Sequence, residues 1–226
     1  MREVFGMNEF HDRSSAGSLL AERVAQLHVA DPVVLALPRG GVPVGFEIAK
    51  ALKAPLDLLL VRKIGVPSQP ELAAAAVVDG ERADIVFNDE VMALAGLDRR
   101  TIGQLAQREL EEIERRRQTY LSQRSPVSVT GKTAIVVDDG IATGTTAQAA
   151  LKALARREPK RLVLATPVAP PEKVPMLRAL VDDFVCLLTP EGFFGIGQFY
   201  LDFHQLSDSE VIGYLEEAAR RAEPHG

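Results

Sequence analysis

The sequence contains one cysteine, no tryptophan and four histidines among its 226 residues. A single thiol, Cys186, excludes an internal disulfide and any metal site built from several cysteines. It lies in the apolar run of residues 184–188, which predicts a buried and unreactive thiol. The histidines are scattered, and the chain has neither an HExxH nor a GxSxG pattern. The sequence therefore offers no signal for a zinc protease or a serine hydrolase.

Long apolar runs are also absent. A membrane-spanning helix needs about 18 consecutive apolar residues, and no stretch approaches that length, so no membrane span is expected. Residues 1–13 have no apolar signal core, which makes the cytoplasm the expected location. The net charge of −5 argues against a protein that coats nucleic acid, so nucleic acid is not an expected partner.

Short apolar runs alternate with helical segments along most of the chain. Near-continuous apolar runs of this length are typical of parallel strands that are buried on both faces. The runs are residues 33–37, 56–61, 74–78, 134–138, 162–166 and 184–188. The helical segments are residues 14–27, 44–52, 145–157 and 171–180. This order predicts an α/β fold, with a Rossmann-like open, mainly parallel sheet and helices on both faces.

Residues 88–124 interrupt this alternation. They predict a short helix with Asn88 as its cap, and then a long charged helix from about residue 98 to residue 122. The charged residues between 109 and 117 are predicted to form a solvated face with i,i+4 pairing. We interpret the segment as a helical insertion in a single domain that spans residues 1–226.

Three predicted strands end in loops that carry glycines, hydroxyls or charges. The loops are PRGG at residues 38–41, RKIG at residues 62–65 and DGIATGTT at residues 139–146. In open α/β sheets, ligands bind at the carboxyl ends of the strands. These loops are therefore the candidate functional segments.

The third loop carries the most specific pattern. The N–H groups at the start of a helix bind phosphate, and Gly144 lets that backbone come close to a ligand. Two adjacent acids, Asp138 and Asp139, are costly at a buried strand end unless a cation or a diol satisfies them. The alternative is a strand that ends in two acids, with Thr143 capping the next helix and no ligand.

The segment VVDDGIATGTT resembles the ribose-phosphate motif of the type I phosphoribosyltransferases. The resemblance implies that Asp138 and Asp139 bind the ribose hydroxyls of 5-phosphoribosyl-1-pyrophosphate, and Mg²⁺ either directly or through water. It also implies that the following turn wraps the 5′-phosphate. The residues of that turn are Ala142, Thr143, Gly144, Thr145 and Thr146.

Residues 37–41 resemble the pyrophosphate loop of that family. The loop residues are Pro38, Arg39, Gly40 and Gly41. The resemblance implies an unusual backbone state at Arg39 or Gly40, such as a non-proline cis peptide. Without it, the same four residues would be an ordinary turn.

Arg62 and Lys63 precede residues 64–72, which resemble the mobile lid of these enzymes. The resemblance implies that a cation here stabilises the departing pyrophosphate. The alternative is a basic pair that ends a strand near the surface.

Residues 189–205 are rich in glycine and aromatic residues and resemble the hood of the purine phosphoribosyltransferases. The resemblance implies that Phe193 or Phe194 stacks on a base, with Asp202 as an acid that follows. The alternative is that these phenylalanines only pin a C-terminal flap to the sheet. Ala142 stands where the hypoxanthine-guanine enzymes carry an aspartate, so the acceptor stays open.

The resemblance implies a Mg²⁺-dependent phosphoribosyltransferase, with phosphoribosyl pyrophosphate and a nitrogenous base as its partners. The alternative is a non-catalytic sensor of phosphoribosyl pyrophosphate or nucleotide on the same fold. The acidic charge balance and the lack of an added helix-turn-helix favour the enzyme. The oligomeric state stays open, with a homodimer as one alternative.

Overall fold

The computed structural model describes residues 9–80, 83–122 and 124–222. Its helices are α1 (Arg13–Ala25), α2 (Gly41–Leu52), α3 (Asp89–Leu94), α4 (Arg99–Leu121), α5 (Thr145–Ala155), α6 (Val174–Arg178) and α7 (Asp208–Ala222). Its strands are β1 (Pro32–Ala36), β2 (Leu56–Leu58), β3 (Val61–Val66), β4 (Gln69–Val78), β5 (Asp84–Phe87), β6 (Thr133–Val137), β7 (Arg161–Val168) and β8 (Asp183–Leu188).

Five strands form a parallel sheet in the order β2-β1-β6-β7-β8. The register between β1 and β6 runs from Pro32 opposite Thr133 to Ala36 opposite Val137. Since both strands stop at the same level, the loops that follow them leave the sheet side by side. The predicted α/β fold with an open, mainly parallel sheet is confirmed.

Helices cover both faces of this sheet because its strands are apolar on both sides. Val33 and Leu35 of β1 belong to the cluster that contains Leu151 of α5. Val34 belongs to the cluster on the opposite face, together with Ile48 of α2. Full burial of a side chain of this size contributes about 1.5–3 kcal/mol. The two clusters therefore hold β1 and β6, with the loops that follow them, in a rigid frame.

The prediction that residues 74–78 form a parallel strand was wrong. They lie in β4, the centre of a second, antiparallel sheet in the order β3-β4-β5. The run of residues 56–61 is also not a single strand: residues 56–58 form β2, and residue 61 begins β3. Ala76 packs into the α5 cluster, whereas Val77 packs into the α4 cluster. Burial on both faces explains the apolar run, and it says nothing about strand direction.

Residues 64–72 are a β-hairpin rather than the predicted loop. β3 and β4 pair across this segment, with register shifts next to Gly65. A Cβ at position 65 would lie 2.2 Å from the carbonyl oxygen of Pro70. The close approach of the two strands therefore requires glycine at position 65.

The short and long helices predicted after residue 88 are α3 and α4. The Asn88 side chain accepts a hydrogen bond from the Val91 amide at 3.3 Å, as a cap does. The prediction of a solvated charged face was wrong at Arg117, which is buried. Arg117 lies four residues after Ile113, on the face of α4 that packs against the small sheet, and its Nη1 donates to Asp79 at 2.6 Å.

Within the described ranges, no helix has both the length and the apolar character needed to cross a membrane. Cys186 is half-buried in β8, and its thiol donates to the Leu188 carbonyl at 3.1 Å. Burial raises the pKa of this thiol to about 11. Because the thiolate is the reactive form, the raised pKa fits the predicted unreactive thiol.

Candidate active site

The loops after β1 and β6 meet at the carboxyl edge of the parallel sheet. The Leu37 amide donates to the Val137 carbonyl at 2.8 Å. A Cβ at position 41 would lie 2.6 Å from that same carbonyl oxygen, so only glycine allows the approach. The peptide bond between Pro38 and Arg39 is cis. The expected unusual backbone state at this loop is confirmed.

The turn at residues 142–146 leads into the start of α5. Gly144 has φ +76°, in the left-handed region that favours glycine, and Thr145 begins the helix. The first N–H groups of a helix have no partner within it, so they are available to an anion. Ala142 and Thr143 are exposed, while Thr145 and Thr146 are half-buried. The turn is open to an incoming ligand.

An open cavity of about 170 Å³ lies over this turn. Asp138 and Ile196 of the C-terminal segment both line it. The remaining lining residues are Gly140, Ile141, Ala142, Thr143, Gly144, Thr146 and Ala147. One acid, threonine hydroxyls and the start of a helix thus surround a single small space.

Asp138 is the acid that faces this cavity. Its Oδ1 accepts a hydrogen bond from the Asp139 amide at 2.9 Å. Burial, followed by the neighbouring Asp139 carboxylate, holds the pKa of Asp138 well above its ordinary value. A cation or a pair of hydroxyl donors at this position would favour its charged form.

Asp139 lies in different surroundings. It is buried, and its Oδ2 accepts a hydrogen bond from Nε of Arg13 at 2.6 Å. The Tyr200 hydroxyl donates to its carbonyl oxygen at 2.6 Å. Burial raises the pKa of the Asp139 carboxyl, and the Arg13 guanidinium opposes that rise. Asp139 therefore has a protein cation as its counter-ion.

Arg13 is the site residue that sequence reasoning missed. It lies at the start of α1, and its partner Asp139 comes 126 residues later. The segment before α1 follows the helix-start pattern, since the Asp12 side chain accepts from the Ser15 amide at 2.7 Å. That signal locates the helix but does not reveal the partner of Arg13. Only the packing of α1 against the sheet brings the two charges together.

The three candidate cations have different environments. Arg39 Nη1 lies 3.6 Å from the Asp208 carboxylate at the start of α7. Arg62 Nε donates to Glu109 of α4 at 2.7 Å. The Lys63 side chain is exposed. Neither Arg62 nor Lys63 is among the described residues that line the cavity over residues 142–146.

The aromatic C-terminal segment divides into packed and exposed rings. Phe193 lies 5.5 Å from Phe199, centroid to centroid, and joins the cluster around Tyr200. Phe194, in contrast, is 95% exposed. Asp202 is exposed and pairs with the His204 ring at 3.1 Å. Of the two candidate stacking residues, Phe194 is the one whose ring is free to meet a ligand.

The described ranges contain no group of three or more His, Cys, Asp or Glu side chains able to hold a metal ion. The site offers the Asp138 carboxylate and nearby threonine hydroxyls. Mg²⁺ prefers oxygen ligands and is often bound by one or two carboxylates together with substrate phosphates. The donor set therefore fits a Mg²⁺ ion that arrives with a phosphorylated substrate.

Comparison with known proteins identifies the family of the chain. A family model described as a phosphoribosyl transferase domain matches residues 9–204. The chain is 46% identical over 214 residues to a curated Mycobacterium tuberculosis protein, in strains H37Rv and CDC 1551, that bears the name "Putative phosphoribosyl transferase". The match covers 95% of this chain and 48% of the relative, so the chain spans about half the length of these relatives.

One solved structure is similar to this chain over most of its length. The crystal structure of the protein TT1426 from Thermus thermophilus is 40% identical, with a TM-score of 0.82, and the match covers 92% of this chain and 98% of that one. The family match includes both loops and the acidic pair at the carboxyl edge of the sheet. The chain belongs to the phosphoribosyl transferase domain family.

Proposed function

We propose that the protein is a phosphoribosyltransferase that uses 5-phosphoribosyl-1-pyrophosphate and Mg²⁺ to ribosylate a nitrogenous base, with release of pyrophosphate. The observation that carries the proposal is the cavity that joins Asp138 to the turn at residues 142–146. A phosphate and a ribose diol are linked in one substrate. The turn before α5 and Asp138 line the same cavity, so one substrate can contact both.

The turn at residues 142–146 holds the 5′-phosphate. Its backbone N–H groups point along the axis of α5, where the helix dipole favours negative charge. Thr143 and Thr146 add hydroxyl donors at the cavity wall. Anchoring this end of the substrate positions the anomeric carbon near the loop at residues 38–41.

Asp138, the acid that lines the cavity, holds the ribose. Each charged hydrogen bond to a ribose hydroxyl contributes about 1.5–3 kcal/mol. A negative charge beside the sugar also stabilises positive charge that develops on the ring in an oxocarbenium-like transition state. Asp138 therefore has a binding role and an electrostatic role.

The loop at residues 38–41 receives the pyrophosphate. As the nitrogen of the acceptor forms its bond to the anomeric carbon, the bond from that carbon to the pyrophosphate oxygen breaks, and the electron pair leaves with pyrophosphate. Arg39 belongs to this loop, and Arg62 lies in β3; each guanidinium is paired with a carboxylate in the structure. Both cations stabilise the leaving group when they exchange that partner for phosphate oxygens. When bound, Mg²⁺ neutralises charge on the pyrophosphate, with Asp138 as its protein ligand, directly or through water.

The acceptor is a nitrogenous base that stacks on the hood. The exposed ring of Phe194 supplies a face for stacking, worth about 1–3 kcal/mol per base. Ala142 provides no side-chain proton acceptor at the turn, so the proton of the acceptor nitrogen passes to water or to the departing pyrophosphate.

The experiment that tests this function is a pyrophosphate-release assay with phosphoribosyl pyrophosphate and Mg²⁺. Purines, orotate, uracil and small amines are supplied one at a time as acceptors. We expect pyrophosphate release that requires one of these acceptors. This release is expected to be lost in Asp138→Asn. Tight binding of phosphoribosyl pyrophosphate without release under any acceptor would instead identify a sensor.

A further inference from the structure

Arg13 is a charged residue that the fold buries. It is the first residue of α1, yet it is only 8% exposed. An arginine is rarely buried unless it is paired, because removing its charge from water is costly. The capping box of Asp12 and Ser15 sets where the helix begins and therefore where this side chain enters the protein. A buried guanidinium needs partners, and Arg13 contacts three residues, Asp139, Phe203 and His204.

The Arg13 guanidinium contacts two segments of the chain, the end of β6 and the C-terminal aromatic segment. Nε donates to Asp139 at 2.6 Å, and Nη1 donates to the His204 carbonyl at 2.9 Å. The flat face of the group lies 3.8 Å from the centroid of the Phe203 ring. One side chain therefore ties the end of β6 to the C-terminal aromatic segment.

That aromatic segment returns to Asp139 by a second route. Phe203 stacks on Tyr200 at 5.1 Å, and the Tyr200 hydroxyl donates to the Asp139 carbonyl at 2.6 Å. Asp139 is thus held through its carboxylate by Arg13 and through its backbone by Tyr200. Networks of this kind rigidify a site when every member is satisfied.

The pyrophosphate loop rests on this fixed carboxylate. A Cβ at position 40 would lie 2.0 Å from Oδ2 of Asp139, the same oxygen that accepts from Arg13. The backbone at Gly40 therefore follows the position of Asp139. A displaced Asp139 side chain would displace the loop at residues 38–41.

The ion pair between Arg13 and Asp139 also gives the two adjacent acids different environments. Arg13 neutralises Asp139, whose carboxylate has no place on the cavity lining, whereas Asp138 lines the cavity. One uncompensated acid then faces the ligand. Without Arg13, two carboxylates would repel each other at the end of one strand.

We propose that Arg13 is a positioning residue of the phosphoribosyl site. It fixes Asp139 as the support of the pyrophosphate loop and leaves Asp138 as the acid that meets the ribose. This inference rests on the proposed function. Because Nε and Nη1 of Arg13 already have partners within the protein, the residue acts through Asp139 and does not touch the substrate.

The test is to measure, by titration calorimetry, the affinities for inorganic phosphate, pyrophosphate and phosphoribosyl pyrophosphate plus Mg²⁺. The variants are Arg13→Met, Asp139→Asn and the double variant, with Arg23→Met as the matched control. Arg23 is an exposed arginine on the same helix. A thermal melt of each variant accompanies the titrations.

Arg13→Met is expected to weaken binding of pyrophosphate and phosphoribosyl pyrophosphate roughly 10- to 100-fold, the usual effect of removing a group that orients a ligand-binding residue. Binding of inorganic phosphate is expected to stay unchanged, because the turn at residues 142–146 does not contact Arg13. The double variant is expected to bind no more weakly than the weaker of the two single variants, because Arg13 acts only through Asp139. Arg23→Met is expected to match the wild type.

Wild-type affinities in Arg13→Met would overturn the proposal. Additive losses in the double variant would also overturn it, because they indicate direct contact between Arg13 and the ligand. If Arg13→Met does not fold, Arg13→Lys replaces it. Lysine keeps the charge but cannot donate to Asp139 and His204 while stacking on Phe203, so the same selective loss is expected, and unchanged pyrophosphate binding contradicts the proposal. A wild-type protein that binds none of the three ligands overturns the proposed function itself.

Discussion

Asp138 and Asp139 are adjacent in the chain but have opposite roles in the structure. Asp138 lines the cavity, whereas Asp139 is buried against Arg13. Alternation of side chains at the end of a strand directs the two carboxylates differently. Substitution of each acid therefore tests a different property of the protein.

We expect Asp138→Asn to weaken the binding of phosphoribosyl pyrophosphate roughly 10- to 150-fold, because a charged hydrogen bond to ribose is lost. Its melting temperature is expected to hold or rise, since the substitution neutralises a half-buried acid with an adjacent like charge. Asp139→Asn is expected to lower the free energy of unfolding by about 3–5 kcal/mol, because Arg13 is left buried and unpaired. Titration calorimetry and thermal melts measure both effects. Reversed patterns in the two variants would contradict these roles.

Gly40 is the residue where the pyrophosphate loop meets Asp139. Gly40→Ala places a methyl group 2.0 Å from the Asp139 carboxylate. We expect a loss of stability of about 1–3 kcal/mol from overpacking, together with weaker pyrophosphate binding. Gly213→Ala is the matched control, because a Cβ at position 213 meets nothing within 4 Å. Equal behaviour of the two alanine variants in melts and titrations would be evidence against a tight contact at Gly40.

The sequence pointed to the segment that supplies most of the cavity lining, but not to Ile196 or Arg13. The segment from Asp138 to Thr146 is contiguous, so its loop, glycine and threonines stand together in the chain. Arg13 contributes from another element, and its contact with Asp139 exists only after α1 packs on the sheet. Local patterns predict residues that act from one loop, and long-range charge pairs require the fold.

At the level of elements, the parallel core was predictable and the small sheet was not. β1 and β6 are apolar on both faces and lead into predicted helices, which is typical of parallel strands. β4 shows the same apolar run, because α4 and α5 cover its two faces. The antiparallel direction of β4 follows from the hairpin around Gly65, which joins it to β3. In the sequence, Gly65 and the two prolines that follow it are equally typical of a loop.

Helix α4 is fastened to the small sheet by a buried ion pair. Arg117 Nη1 donates to Asp79 at 2.6 Å, and its Nη2 lies 3.5 Å from the Asp57 carboxylate. Asp57 and Asp79 are both buried. Burial outweighs the attraction of Arg117 and raises the pKa of Asp79 to about 6.

This raised pKa predicts how stability depends on pH. Between about pH 4 and pH 6 the folded protein binds the Asp79 proton more tightly than the unfolded chain does, so the free energy of unfolding falls as pH rises through this window. The full contribution of Asp79 is about 3 kcal/mol at most. Urea unfolding at several pH values is expected to show a smaller fall in Asp79→Asn, and an unchanged fall in the exposed control Asp89→Asn. An identical fall in all three proteins would contradict a raised pKa at Asp79.

At the scale of the whole molecule, two helices supply carboxylates to the cations around the candidate site. Asp208 of α7 pairs with Arg39, and Glu109 of α4 pairs with Arg62. The parallel sheet provides the loops at residues 38–41 and 139–146. We propose that Arg39 and Arg62 exchange these helix carboxylates for substrate oxygens when the substrate binds.

The measurement that tests the central claim most directly is a crystal structure of the protein with phosphoribosyl pyrophosphate and Mg²⁺. We predict the 5′-phosphate in the turn at residues 142–146, the ribose hydroxyls on Asp138 and the pyrophosphate on the loop at residues 38–41. Arg13 is predicted to stay bonded to Asp139. An empty turn, with the substrate or its phosphate bound firmly elsewhere on the protein, would contradict the account.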